Sequence, residues 1–389
     1  MTAKRISPVA IGGAGFSGAV IAHELASAGI DVDVYEARDH VAGNCHTRRD
    51  PDTGILLHAY GPHIFHTSHS RVWSYVQRFD EFMPFTNRVK AITGGRVYPL
   101  PVNLLTINQF FGTTLNPREA RAFLESRADP GIGEPQTFEQ QALRFMGREL
   151  YEAFFLAYTQ KQWGRHPSQL PASVLRRLPL RFNYDDNYYA STWQGMPRHG
   201  YTAIVEKMLD HPRIRVRLGQ PLTRGMTDGY AQVFFSGPLD AWFGHAEGRL
   251  GYRTLDFAME RHAGDYQGNA VINYCDNSVP WTRIAEHKHF APWESHEATV
   301  IFRETSRDFG PQDTPYYPIR LAQEKSQLAR YVALAREERG VCFVGRLGTY
   351  RYLDMHVTIA EALEVADRYQ ALAASGEPMP SFLVHPLNS

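Results

Sequence analysis

The chain has 389 residues, more than one hydrophobic core usually serves, so two or three domains are expected. With 43% hydrophobic and 21% charged residues, long disorder and fibrous architectures are excluded. The 41 basic residues balance 41 acidic ones, so no global field draws the chain to nucleic acid or to an anionic membrane, and any anionic ligand must be held by a local cluster.

Cys45, Cys275 and Cys342 lie far apart and form no CxxC pair, which argues against a disulfide framework or a zinc site and fits a reducing cytoplasm. Residues Met1 to Ile30 begin basic and turn apolar like a secretion signal, but His23, Glu24 and the crowded glycines make the stretch folded structure. No run of about 18 uncharged apolar residues occurs, so no membrane span is expected.

In chain order, Ile6 to Ile11 reads as a strand, Gly12 to Gly18 as a glycine turn, Phe16 to Ala28 as a helix ended by Gly29, and Val32 to Glu36 as a second strand. Between Asn87 and Pro99 the alternation around Gly94-Gly95 predicts a hairpin, because paired glycines accept the positive φ of a type I′ turn. From Leu104 to Leu178 the pattern is helical, and Asn116 to Glu119 and Thr137 to Gln140 each match a capping box. Strands are then expected at Ile214 to Leu218, Val233 to Phe235, Ala270 to Tyr274, Thr299 to Arg303 and Val341 to Val344, followed by a helix from Thr358 to Ala373.

The strand, turn, helix and strand at the start frame the spacing GxGxxG at Gly13, Gly15 and Gly18, with Glu36 ending the second strand. Such glycines allow a tight turn, close approach of backbone to a pyrophosphate and tight helix packing, while the acidic residue accepts from a ribose 2′-OH. The motif alone does not separate NAD from FAD, but the glycine-containing stretch at Ala42-Gly43-Asn44 and the strand running into Gly345-Arg346 suit a second approach to an extended cofactor, FAD. Gly12 is unexpected at the end of a buried strand.

Arg148 to Trp163 is predicted to form a helix on which Phe154 and Tyr158, at i and i+4, share a face, either as a core stripe or as walls for a flat base. Arg177, Arg181, Arg283, Arg346 and Arg351, with Tyr188, Tyr317 and Tyr352, supply the donors to grip a diphosphate. His63, His66 and His69 have a spacing that invites a metal, but no carboxylate or cysteine stands near them in sequence, and no metal is expected. Asp185 and Asp186, being adjacent, point apart and serve as capping or solvent-facing residues rather than as a glycosidase pair.

The strings Gly13 to Ala19, Tyr60 to His66, Arg181 to Tyr188 and Gly345 to Asp354 resemble the bacterial UDP-galactopyranose mutases almost end to end, with Gly12 and Ala42 as departures. The resemblance implies a mixed α/β fold: an FAD-binding Rossmann-like βαβ domain at 1–81, 195–239 and 320–389, an inserted helical bundle at 102–179 for substrate and dimer contacts, and an antiparallel sheet domain at 82–101, 180–194 and 240–319. It implies isomerisation of UDP-galactopyranose and UDP-galactofuranose, for galactofuranose-containing cell-surface glycans, through a covalent flavin–galactose iminium on reduced FAD. Further implications are an external reductant such as NAD(P)H, a homodimer, a cytoplasmic location and no nucleic-acid partner.

By the same resemblance, FAD falls to Gly13, Gly15, Phe16, Ser17, Glu36, Gly43, Asn44, His63, Arg346, Tyr352, Asp354 and Met355, with His63 against the flavin. Phe154 and Tyr158 match the uracil stack, Trp163 the ribose side, Asn273 a place near the uridine, and Asn87, Tyr188, Tyr317 and Tyr352 further substrate contacts. Arg177 matches an arginine on a mobile loop and Arg283 the fixed one opposite, with Arg181 the rival for the loop role. Competing readings are an oxidoreductase of the amine-oxidase or desaturase kind, which has no use for convergent guanidinium groups, and a cofactor-free module of the GDP-dissociation-inhibitor type, against which the intact glycine motif and Glu36 argue.

Overall fold

The computed structural model describes residues 7–172 and 180–388. Its fold is mixed α/β. The first strand, Val9–Gly12, is wholly buried and ends at a glycine because a Cβ at Gly12 would come within 2.6 Å of the Phe235 ring on the neighbouring strand. This accounts for the unexpected residue. The helix Phe16–Ser27 follows, Gly29 turns the chain at φ 89°, and Val32–Tyr35 returns parallel to the first strand, as the sequence predicts to within a few residues.

These strands lie in a five-stranded parallel sheet in the spatial order Ile214–Arg217, Val32–Tyr35, Val9–Gly12, Gln232–Phe235, Val341–Phe343. The central strands are buried on both faces, as expected when helices cover a parallel sheet. One cover is the helix Phe16–Ser27, packed against Met355–Ser375 and Tyr201–Leu209. The other face carries a second apolar cluster built on Phe235, Trp242, Tyr331 and Phe343.

A seven-stranded sheet orders Tyr317–Pro318, Tyr252–Ala263, Ala298–Asp308, Arg283–Glu286, Val271–Tyr274, Lys90–Thr93, Arg96–Pro99. Its hairpin at Gly94 and Gly95 has positive φ at both glycines, 55° and 71°, the geometry of the predicted type I′ turn. The sheet expected to be antiparallel contains a parallel pairing, Val271–Tyr274 on Lys90–Thr93. The strand Tyr252–Ala263 was absent from the sequence expectation: its outer half carries charged residues on an exposed face and only pairing with Ala298–Asp308 fixes it.

Both predicted capping boxes form, at Asn116 and at Thr137. The regular helix expected from Arg148 to Trp163 does not: Gly147, at φ 79°, breaks the helix Phe138–Tyr151, a π-helical turn occupies Glu152–Leu156, and α-helix resumes at Ala157–Trp163. The last residues of the expected helical stretch, from 173 onward, lie outside the described residues. No helix among the described residues is long and apolar enough to cross a membrane.

Candidate functional site

The glycine turn opens onto a cavity of about 480 Å³, within the usual range for a small-molecule site. Gly13 sits at φ 103°, where a side chain would be strained and would collide with Ser236. Gly15 is the N-cap of the following helix and offers no side-chain cap, so the helix's first N–H groups stay open to an anion. Gly43, at φ 53°, takes a left-handed turn that favours glycine and lies in contact with the Gly15 backbone.

Gly13, Gly15, Phe16, Ser17, Glu36, Gly43, Asn44, His63, Arg346 and Met355 all line this cavity, ten of the residues expected around a cofactor. Buried Glu36 accepts from the Ala14 N–H at 2.8 Å and the Arg38 N–H at 3.0 Å, which fixes its carboxylate at the cavity wall. Arg38, which the sequence reading passed over, donates to Asn44 Oδ1 at 2.8 Å and lies over the Tyr60 ring at 4.4 Å. Its Nη1 is buried with no hydrogen-bond partner among the described residues. The Cys45 thiol on the same wall is pushed up to about 12 by burial and is no nucleophile at neutral pH.

His63 Nδ1 lies 3.0 Å from the Gly61 carbonyl, an acceptor only, so that nitrogen carries the proton in the neutral ring and Nε2 is left as an acceptor. Burial, and then the Arg346 guanidinium, hold His63 down to about 4. Arg346 donates from Nε to the Leu353 carbonyl at 3.1 Å and lies 5.0 Å from the centre of the Tyr352 ring. Tyr352 stacks on Tyr317 at 5.4 Å, and Tyr317 lies 6.4 Å from Trp163, so an aromatic row runs from the long cavity toward the helix Ala157–Trp163. Tyr352 and Asp354, also expected at the cofactor, do not line this cavity.

A second, small cavity of about 30 Å³ is walled by Phe154, Tyr158, Tyr188 and Asn273. Asn273 Oδ1 is buried there with no hydrogen-bond partner among the described residues, a cost that a ligand N–H or O–H would remove. Asn87, whose carbonyl accepts from the Tyr188 N–H at 2.8 Å, also leaves Oδ1 buried and unpartnered among the described residues. Phe154 meets Tyr98 edge-on at 5.2 Å and Phe110 at 5.5 Å, so it serves the core and the cavity wall together.

Asn273, Arg283 and Glu304 stand in one row across three strands, Asn273 opposite Arg283 and Arg283 opposite Glu304. Arg283 Nε donates to Glu304 Oε2 at 2.7 Å, and Glu304 Oε1 is buried without a hydrogen-bond partner among the described residues. Burial disfavours the Arg283 charge, but Glu304, Tyr317 and Tyr158 more than offset it and hold Arg283 well above its ordinary value. Tyr158 and Tyr188 are raised, by burial first, with Arg283 opposing. Glu304 escaped the sequence reading because its signal is a cross-strand position, visible only once register is known.

The remaining expectations divide. Arg177 lies outside the described residues. The Arg181 side chain holds Asp185 Oδ2 at 2.9 Å and the Asn187 carbonyl at 2.5 Å. Arg351 leaves the expected diphosphate set, being buried against Glu361 and Thr349 beside a different small cavity. Asp186 pairs with Arg88 and Lys90, so the adjacent aspartates stabilise the loop.

The fold also brings Asp354 and His356 to His66, with potential donor atoms within 4.8 Å of one another, so the carboxylate missing from the local sequence arrives from a distant segment. His66 Nδ1 is engaged by Ser191 Oγ at 2.9 Å, and its ring stacks on Tyr189 at 3.7 Å.

Residues 153–352 match the family UDP-galactopyranose mutase, and residues 11–79 match an NAD(P)-binding Rossmann-like domain. A Klebsiella pneumoniae protein described as a probable UDP-galactopyranose mutase is 56% identical over 97% of this chain and 98% of its own length. A dTDP-fucopyranose mutase of Escherichia coli is 48% identical over 94% and 98% of the two chains. Among solved structures, a reduced UDP-galactopyranose mutase superposes with TM-score 0.75 at 15% identity over 94% of this chain and 96% of that one. A putrescine oxidase reaches TM-score 0.55 at 12% identity over 94% and 99% of the two chains, a likeness of fold alone. The long pairwise identities and the matched segment, which contains most of the small cavity's lining together with Asn273, Arg283 and Glu304, place the chain in the UDP-galactopyranose mutase family.

Proposed function

We propose that the enzyme interconverts UDP-galactopyranose and UDP-galactofuranose with FAD bound in the long cavity, active when the flavin is reduced. The observation that carries the reading is the row Asn273, Arg283, Glu304 beside the aromatic small cavity: an unsatisfied amide oxygen and a paired guanidinium sit next to ring faces, the chemistry a uridine diphosphate requires. The long cavity fits the cofactor by its open helix N-terminus, its glycine contact and its buried Glu36.

In this reading Gly13, Gly15, Phe16, Ser17, Glu36, Gly43, Asn44, His63, Arg346 and Met355 hold FAD, joined by Tyr352 and Asp354 by family resemblance. Phe154 and Tyr158 wall the uracil, Trp163 lies by the ribose, and Asn273 and Asn87 supply amide contacts. Arg283, with Tyr188, Tyr317 and Tyr352, grips the diphosphate, and Arg177 joins from a loop by family resemblance. A bound reduced flavin would supply an electron-rich N5 as nucleophile toward the anomeric carbon. The protein's own part is to hold the diphosphate leaving group close by, keep water from the sugar, and present neutral His63 as an acceptor at Nε2. An external reductant such as NAD(P)H, a homodimer built on the helical segment, a cytoplasmic location, a role in galactofuranose-containing cell-surface glycans and the three-part domain division belong to the same proposal.

The test is isomer analysis with purified protein. Dithionite-reduced enzyme given UDP-galactofuranose is expected to yield UDP-galactopyranose, and oxidised enzyme to yield none. A parallel incubation with dTDP-fucofuranose separates the two sugar nucleotides named among the relatives. Turnover of the dTDP sugar alone, or full activity in the oxidised state, overturns the reading.

A further inference from the structure

Lys161 has no part in the roles proposed above, yet it stands on the helix Ala157–Trp163 between Tyr158 and Trp163. Its Nζ lies 2.8 Å from the Tyr274 carbonyl, 2.7 Å from Asp276, 3.0 Å from Trp281 and 3.3 Å from Val279. Four carbonyls therefore share the three N–H donors of one ammonium, and every partner is an acceptor, so the group sits as a charged donor and not as a base. Burial lowers its pKa from the ordinary lysine value, while Cys275 and Asp276 oppose that.

Three of the carbonyls, of Asp276, Val279 and Trp281, belong to the connection between the strands Val271–Tyr274 and Arg283–Glu286, and the fourth, of Tyr274, ends the first strand. That connection leaves one strand just after Asn273 and enters the next at Arg283, its direct cross-strand partner. The far side of the connection is pinned as well: Cys275 N–H donates to the Ile92 carbonyl at 2.8 Å, and Gly94 N–H donates to Asp276 Oδ2 at 3.1 Å. The helix, by contrast, is tied to this connection through the Lys161 ammonium, and an ammonium directed to several backbone carbonyls at once fixes separation and orientation as a single contact does not.

We infer that Lys161 is a positioning residue that locks the Tyr158 and Trp163 face of its helix at a set distance from the Asn273 and Arg283 pair, so that both walls of the sugar-nucleotide site are in place before the substrate arrives. The inference rests on the sugar-nucleotide reading above. It distinguishes the clamp from the groups that touch substrate: losing Lys161 loosens binding while the cofactor cavity, lined by other segments, stays intact.

The test uses the FAD-loaded, reduced enzyme, UDP as binding probe and UDP-galactofuranose as substrate. Lys161→Met is expected to raise the Kd for UDP and the KM about 10-fold or more, with kcat within about 3-fold and FAD content unchanged. In Lys161→Ala, added butylammonium is expected to restore UDP binding, since it returns an ammonium to the carbonyl cage. Unchanged Kd and KM in Lys161→Met, in an assay where wild type binds UDP, overturn the clamp and leave the functional reading standing. So does a joint fall of kcat and FAD content without a selective change in Kd. If neither variant folds, hydrogen exchange on the wild type decides: UDP must slow the amides of 275–282 together with those of 157–163, and protection confined to 157–163 overturns the inference. Wild type that binds no UDP removes the sugar-nucleotide reading, and the clamp with it.

Discussion

Arg283 shows how one side chain is prepared for its task. A guanidinium in a buried site costs free energy unless it is paired, and Glu304, 2% exposed, supplies the pairing through Nε, which leaves the other nitrogens as donors. Lysine offers a point charge and cannot both hold Glu304 edge-on and reach a diphosphate, so Arg283→Lys is expected to lower kcat/KM by about 100-fold, roughly 3 kcal/mol, in steady-state assays with UDP-galactofuranose. A change of only a few-fold would mean that the diphosphate is gripped elsewhere. Ala42 is the opposite case, a residue at odds with its backbone: its φ of 73° is left-handed, at the turn into Gly43 on the wall of the larger cavity. An L side chain there costs about 1–2 kcal/mol, part of which glycine gives back through its freer unfolded chain, so Ala42→Gly is expected to stabilise by about 0.5–1 kcal/mol in urea unfolding. Equal or lower stability would show that the turn tolerates a Cβ without strain.

At the scale of elements, what was legible in the sequence is what is encoded locally. The glycine turn between two strands, the paired glycines of the hairpin and both capping boxes are fixed by residues within a few positions of one another, and all form where the pattern puts them. The parallel pairing of Val271–Tyr274 with Lys90–Thr93 and the charged strand Tyr252–Ala263 depend on partners far along the chain, and no local signal announces them. The site divides the same way: the residues around the glycine turn fell into one cavity, whereas arginines alike in sequence were separated by packing, Arg283 to the site and Arg351 to Glu361. The interrupted helix is the clearest limit, since apolar spacing alone does not distinguish an α turn from the π turn at Glu152–Leu156. Its start is set by Gly147, where a Cβ would lie 2.9 Å from the Arg127 carbonyl at a φ of 79°. Gly147→Ala is therefore expected to destabilise the protein by about 1–3 kcal/mol and to weaken UDP binding, because the break aims the segment that carries Phe154 and Tyr158. Unchanged thermal unfolding and UDP affinity would refute that link.

Across the whole molecule, a pair of histidines joins the short strand Leu56–His58, which precedes His63, to the turn His287–Phe290 that follows the strand of Arg283. His58 is 2% and His287 0% exposed, their rings lie 5.9 Å apart, and Tyr201, Phe290 and Phe302 pack around them. The His58 backbone N–H donates to His287 Nδ1 at 3.2 Å, a bond that requires that nitrogen to be unprotonated. Burial holds His287 down to about 3, and burial first, then the neighbouring His287 and His63, hold His58 well below its ordinary value. Both folded pKa values lie below the unfolded value of about 6.5, so the unfolded chain binds more protons as pH falls. The stability that neutral histidines contribute is complete above about pH 6.5 and is lost as pH drops toward the folded values, at about 2 kcal/mol for His287 by pH 5. Urea unfolding of the FAD-loaded enzyme is accordingly expected to show a clear loss between pH 7 and pH 5, well above the acid titration of its ordinary carboxylates. His58→Phe, which keeps a ring among rings and removes one titrating group, is expected to lessen the loss between pH 7 and pH 5 without abolishing it, because His63, His66 and His287 stay held down, while leaving the stability near pH 7.5 close to that of wild type. A wild-type stability that stays level from pH 7 to pH 5, or a variant with the full slope, would place the acid sensitivity elsewhere than in the seam between the strand Leu56–His58 and the turn that follows the strand of Arg283.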